Sequence, residues 1–188
     1  MPQSSDRKKR KKLLLIGGVA GFVLTIVLVL ASGHMIALTN TDQFCVTCHV
    51  MKPFRQAWLA SPHGGNNPQG VVAQCVDCHL PHGTLVEYVV AKAYTGTHDV
   101  IMNMIIDPYT HDWGANRANR EKFTYDNSCR KCHTRLQAPK MGIKAILAHR
   151  EYLRKENKLR CVKCHEHVGH KDMMYYVNKY FNRDSQPN

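Results

Sequence analysis

CVTCHVM, residues 45–51, is the stretch that decides the fold, because its first five residues recur as CVDCH at 75–79, CRKCH at 129–133 and CVKCH at 161–165. All eight cysteines (Cys45, Cys48, Cys75, Cys78, Cys129, Cys132, Cys161 and Cys164) fall in these four pairs, and none is left over. Histidine follows each pair at once: His49, His79, His133 and His165. Twelve of the 188 residues are histidine, so four such coincidences have a chance on the order of 10⁻⁵. A zinc cage also uses cysteine pairs but has no need of histidine after each one. Disulfides suit an exported chain, yet bridges within each pair would staple nothing. The pattern is that of c-type haem attachment: two thiols add to two porphyrin vinyl groups, and the next residue offers an imidazole to the iron. The spacing therefore predicts four covalently attached haems c.

The remaining histidines follow an internal repeat. Cys45 to Cys129 is 84 residues and Cys75 to Cys161 is 86; His63 to His149 is 86 and His82 to His170 is 88. The order in each half is a CxxCH motif, a lone histidine 14 to 16 residues later, a second motif, and a histidine three to five residues after that. Two tandem dihaem modules, about 39–106 and 124–171, are expected, with His63, His82, His149 and His170 as distal iron ligands. His167 is a substitute for His170, while His34, His98 and His111 lack the support of the repeat. At the first motif, Met51 stands two residues past His49, so a thioether competes with the imidazole for that iron.

Upstream, residues 13–38 read LLLIGGVAGFVLTIVLVLASGHMIAL, without Asp, Glu, Lys or Arg. At about 1.5 Å per residue this crosses a hydrocarbon layer of roughly 30 Å. A cleavable signal peptide competes, but its apolar core usually runs only ~7 to 15 residues. Residues 1–12 hold six of the positive charges, Arg7 to Lys12. They are expected to stay cytoplasmic, which makes the chain a single-pass protein of the inner membrane with its haem domain, 39–171, in the periplasm. The formal charge is +12, but four haems bring about eight propionates, leaving the exported part near neutral. That weighs against a nucleic-acid partner, and 188 residues exclude a large multidomain enzyme.

The exported 150 residues give little protein per haem, so a mainly α fold with long loops around the porphyrins is expected. Residues 84–106, TLVEYVVAKAYTGTHDVIMNMII, have the apolar spacing of a helix lying on a membrane surface. Lys92 and Asp99 share a face of it if Gly96 does not break the helix. Such a pair can accept and pass on a proton. Residues 107–123 read as a surface excursion between the modules. The tail, 172–188, reads as a helical segment packing on the haem domain.

The basic start, one anchor, four CxxCH motifs, CxxCHxM at the first, SPHGG, CVDCHLPHG and a late VGH together resemble the NapC/NirT family of membrane-anchored tetrahaem cytochromes, nearest its nitrite-reductase small-subunit branch. That resemblance implies oxidation of membrane quinol, menaquinol or ubiquinol, and electron delivery to a periplasmic multihaem or molybdenum reductase such as nitrite or nitrate reductase. It also implies Met51 as the first haem's ligand and Lys92 with Asp99 as the quinol site. His82 stands where the small-subunit branch can lack a histidine and borrow a ligand from its partner. The alternative is a passive electron-transfer cytochrome fed by another membrane protein, without a quinol site. Nitrite reduction by the chain itself would need an open iron position and a basic funnel, whereas enough histidines are present to saturate three haems.

Overall fold

The computed structural model describes residues 4–154 and 159–181 and divides into two units, Met1–Asn40 and Thr41–Asn188. Unit one is a single helix, α1, Ser4–Leu38. Its stretch Asp6–Leu38 is, among the described residues, the one helix long and apolar enough to cross a membrane. Leu13, Phe22, Val29 and Leu30 are all more than half exposed, which suits a helix whose solvent is lipid. The basic cytoplasmic segment expected at residues 1–12 includes residues 1–3, which lie outside the described residues.

Unit two is helical, with no strand among the described residues. Its helices are α2 (Asp42–Cys45), α3 (Lys52–Leu59), α4 (Val76–His79), α5 (Leu85–Ile105), α6 (Trp113–Ala118), α7 (Asp126–Cys132), α8 (Ile143–Arg154), α9 (Cys161–Cys164) and α10 (Met173–Phe181). Two 3-10 turns, His49–Met51 and Arg120–Lys122, complete it. Most helices are one or two turns long, as expected of a chain wrapped around cofactors.

The exception is α5, and its sequence explains its length. Thr84 caps it by accepting from the Glu87 amide (3.2 Å), and the Glu87 carboxylate accepts from the Thr84 amide (3.0 Å), a capping box. A side chain on Gly83 would collide with that carboxylate. The helix continues through Gly96, so Lys92 and Asp99 do lie two turns apart on one continuous element. No α5 residue is buried, and Leu85, Val86, Val90, Tyr94, Met104 and Ile105 are each more than 60% exposed.

The side-chain core is small, and Val50, beside the first motif, packs against it. Ala57 of α3, Trp113 of α6, and Met173, Val177 and Phe181 of α10 form it. Trp113 stands edge-on to Phe54 (5.1 Å between centroids) and stacked with Phe181 (6.0 Å), and its indole N–H donates to the Pro108 carbonyl (3.0 Å). Residues 107–123 are for the most part the surface excursion expected, but one that Trp113 anchors in the core. The mixed charges that suggested one flank a tryptophan only 8% exposed, and burying that indole outweighs the polarity of its neighbours. The tail expectation holds for α10, which packs on α3 and α6; residues 182–188 lie outside the described residues.

Candidate haem-binding site

Each motif sits on a tight turn that presents its two thiols together. In α4, α7 and α9 the cysteines are three apart on one helical turn, so their side chains share a face. The first motif begins at the end of α2, whose N-cap Thr41 accepts from the Phe44 amide (3.2 Å), and runs into the 3-10 turn carrying His49 and Met51. Met51 is 40% exposed. None of the eight cysteines is disulfide-bonded to another.

Consecutive motifs are neighbours in space. Cys45 and Cys75 are close enough to share a thiol hydrogen bond, which brings Cys45 down to about 7 and pushes Cys75 up. Cys129 and Cys161 are linked the same way, lowering the first and raising the second. Cys78 lies within charge range of Cys132, and burial raises it first of all. Three aspartates tie these junctions. The Asp42 amide donates to Gln74 Oε1 (3.2 Å), and its buried carboxylate pairs with Arg55 (2.7 Å). Asp77, inside the second motif, pairs with Lys131, inside the third (3.0 Å). Asp126 accepts from the Cys161 amide (3.2 Å) and the Tyr152 hydroxyl (3.0 Å), with Arg160 Nε 3.6 Å away. Nothing in the sequence marked these three aspartates except their places beside or within the motifs.

The imidazoles form three facing pairs. Ring centroids are 6.0 Å apart for His63 and His133, 6.1 Å for His79 and His170, and 6.0 Å for His149 and His165. An iron bound on both sides by imidazole nitrogens, each about 2 Å away, holds the ring centres roughly 6 Å apart. The outer nitrogens agree: His63 Nδ1–H donates to the Val168 carbonyl (2.9 Å), His79 to Phe123 (2.7 Å) and His170 to Phe54 (3.0 Å). Such a bond fixes the tautomer with Nε2 bare, the form a metal-ligating histidine adopts. His149 Nδ1 is buried without a partner. Burial brings His170 down to about 4, with neighbouring His79 adding to it, and burial likewise lowers His79. Both shifts favour the neutral form that ligation requires.

Two of the three pairs cross the halves of the unit, His63 reaching the third motif and His170 the second. The repeat found the histidines but not this exchange. His82 is turned elsewhere: its Nε2 faces the Val76 carbonyl (3.3 Å) and Asp77 (3.8 Å), and its ring lies on Tyr88. No second imidazole faces His49 among the described residues. His111 stands edge-on to Trp113 (4.4 Å between centroids), and His167 Nδ1 accepts from Arg117 (3.0 Å). Among the described residues, no group of three or more His, Cys, Asp or Glu forms a protein-only metal cage. The facing pairs, the bare nitrogens and the thiol turns fit haem c.

A tight turn positions His63. A side chain on Gly64 would run into the Trp58 carbonyl, Gly65 has φ +98°, and the His63 carbonyl accepts from the Ala73 amide (2.8 Å). Gly64→Ala is expected to destabilise the protein by about 1–3 kcal/mol, because a backbone atom cannot swing aside. It should also disturb the His63–His133 pair, read as one low-spin haem signal lost or shifted in electron paramagnetic resonance.

Lys92 and Asp99 lie alongside the first two motifs. Burial lowers the Lys92 ammonium from its usual range, opposed by the charge of Cys45. Asp99 is largely exposed, accepts from His98 Nδ1 (3.2 Å), and its charge reaches Cys45 and His79.

Comparison with known proteins agrees with this geometry. The chain is 35% identical over 166 residues to the tetraheme c-type cytochrome CymA of Shewanella oneidensis, covering 81% of this chain and 87% of that one. It is 29% identical over 168 residues to the cytochrome c-type protein NapC of Escherichia coli, covering 85% and 80%. It is 27% identical over 172 residues to the cytochrome c-type protein TorC of the same organism, covering 86% of this chain but 43% of TorC. No solved structure matches the chain. Covalent haem c is the cofactor that such proteins carry and that these thiol turns accept, and residues 7–175 match the NapC/NirT cytochrome c family, N-terminal region, so the chain belongs to that family.

Proposed function

We propose that the chain is a membrane-anchored tetrahaem cytochrome that oxidises membrane quinol and delivers the electrons to a periplasmic reductase. The observation that carries this reading is the position of Lys92 and Asp99: one continuous helix, with an exposed apolar surface, holds a proton-accepting pair next to the first two thiol turns. The α1 helix is the inner-membrane anchor, with its basic start in the cytoplasm and unit two in the periplasm.

Cys45/Cys48, Cys75/Cys78, Cys129/Cys132 and Cys161/Cys164 hold four haems by thioether bonds. His79 with His170, His133 with His63, and His165 with His149 would hold three of the irons. Met51 rather than His49 is the ligand at the first motif, and His82 serves as a second contact near the second motif rather than an iron ligand. When bound, the haems supply one-electron chemistry, which a chain of ordinary side chains lacks.

The residues manage what the iron does not. Quinol loses two electrons and two protons, and the protons need an acceptor. The apolar surface of α5 meets the lipid interface and admits the quinol ring. Lys92 binds a quinol hydroxyl and takes its proton when neutral; Asp99, with His98 beside it, passes a proton to water. In the mature protein Cys45 would be a thioether, so the charge that opposes the Lys92 shift would be gone while burial still lowers its pKa. The sign follows: the neutral, base-competent fraction grows as pH rises.

The test mixes oxidised, detergent-purified protein with a reduced menaquinol analogue and follows the haem α-band. Lys92→Leu is expected to keep all four haems and dithionite reducibility but to lose at least 90% of the quinol-driven rate, the scale of a removed general base (about 10²-fold). The wild-type rate should climb with pH on the alkaline side, and Lys92→Arg should lose that limb because guanidinium does not deprotonate. Quinol-driven reduction unaffected in Lys92→Leu removes the site; no quinol-driven reduction in the wild type leaves a passive electron carrier.

A further inference from the structure

The neighbouring thiols run in sequence order, Cys45 by Cys75, Cys78 by Cys132, Cys129 by Cys161. Lys92 and Asp99 stand at the first end of that series, and the fourth motif is the other end. The charge changes sign along it. Residues 13–112 carry 3 Lys and Arg against 6 Asp and Glu, whereas 113–188 carry 17 against 7. Two haems in each half add about four propionate charges to both and leave the contrast intact.

The basic excess has a shaped surface on α8. His149 faces His165 from one side of this helix. The helical repeat sets Ile143, Leu147, Arg150 and Arg154 at i, i+4, i+7 and i+11 on a stripe turned away from His149. Ile143 is 77% exposed and Leu147 47%, and Arg150 and Arg154 are exposed as well. Glu151 is the only carboxylate the stripe meets on its own helix, 3.8 Å from Arg154. Exposed Lys144 borders the stripe, and exposed Lys163 lies within the fourth motif itself. Apolar anchors ringed by cations beside a cofactor match the anatomy of a protein interface. A lipid surface fits less well, since the stripe offers two apolar side chains where α5 offers a whole helix of them.

We propose that the α8 stripe with Lys144 and Lys163 is the docking surface for the electron acceptor, a soluble redox protein with an acidic face around its own cofactor. The inference deepens the electron-delivery reading and rests on it. Cations here raise the rate of encounter and orient an acidic partner with its cofactor towards the fourth motif.

The test measures binding of oxidised, fully haem-loaded protein in detergent to oxidised plastocyanin, an acidic copper protein used as the probe. With both partners oxidised no electron moves, so the result does not depend on the quinol site. The Kd is expected to rise about tenfold or more between roughly 20 and 200 mM salt. Lys144→Glu/Arg150→Glu/Arg154→Glu should raise it about tenfold at low salt and tighten binding of a basic mitochondrial-type cytochrome c. The neutral set Lys144→Gln/Arg150→Gln/Arg154→Gln should fall between, and an unchanged low-spin haem spectrum confirms folding. A Kd unmoved by charge reversal overturns the proposal. So does a variant that keeps plastocyanin affinity but no longer binds vesicles containing phosphatidylglycerol, which would assign the stripe to lipid. Loss of quinol-driven reduction with salt-sensitive binding intact would instead remove only the quinol reading.

Discussion

His170→Ala is expected to convert one haem from six-coordinate low spin to a high-spin form, and the converted haem should be the one attached at Cys75 and Cys78. His170 lies five residues past the fourth motif, so any reading by proximity in sequence assigns the loss to the haem at Cys161 and Cys164. The geometry says otherwise: the imidazole stands 6.1 Å from His79 by ring centroid, and its Nδ1–H is held by the Phe54 carbonyl. Among the described residues the nearest substitute by sequence, His82, is turned away, its Nε2 facing the Val76 carbonyl and Asp77. Magnetic circular dichroism counts the high-spin haems, and exogenous imidazole should restore the low-spin signal. The matching variant His63→Ala should affect the third motif. If His170→Ala instead alters the fourth-motif haem, the cross-half pairing is wrong.

Asp126→Ala is expected to be the most destabilising single change outside the iron ligands. One carboxylate accepts from the Tyr152 hydroxyl and the Cys161 amide and faces Arg160. Tyr152 is only 7% exposed, so its hydroxyl would lose its acceptor inside the protein. Hydrogen bonds to a charged group contribute about 1.5–3 kcal/mol each, and stranding their partners adds desolvation, for a loss of roughly 3–5 kcal/mol. The first residue of the fourth motif would also lose its anchor, so haem at Cys161/Cys164 should be under-incorporated. Thermal melting followed in the Soret band, with peptide mass mapping of haem occupancy, measures both effects. Asp126→Asn, which keeps a carbonyl acceptor, should recover a large part. An Asp126→Ala protein that melts normally with four haems would show that the junction does not depend on this carboxylate.

The chemistry of this protein was legible in its sequence to an unusual degree, because it is written in contiguous pentapeptides. A CxxCH motif specifies a covalent bond and an axial ligand within five residues, and the anchor is a continuous apolar run. The α5 helix was legible for the same local reason: its apolar spacing lies within its own stretch. The pairing of His63 with His133 and of His79 with His170 was not, since it joins residues 70 and 91 positions apart, and no local pattern encodes which turn meets which. The repeat hid it, because two similar halves invite pairing within each half. Trp113 was missed because its neighbours are charged. The aspartate ties were missed because each acts on a motif other than its nearest.

Intact mass spectrometry of the protein purified from membranes tests the central claim most directly. The expected result is the polypeptide mass plus four haem groups, stable to acid extraction because each is held by two thioether bonds. A mass equal to the bare polypeptide, or haem that washes out in acid, would contradict it.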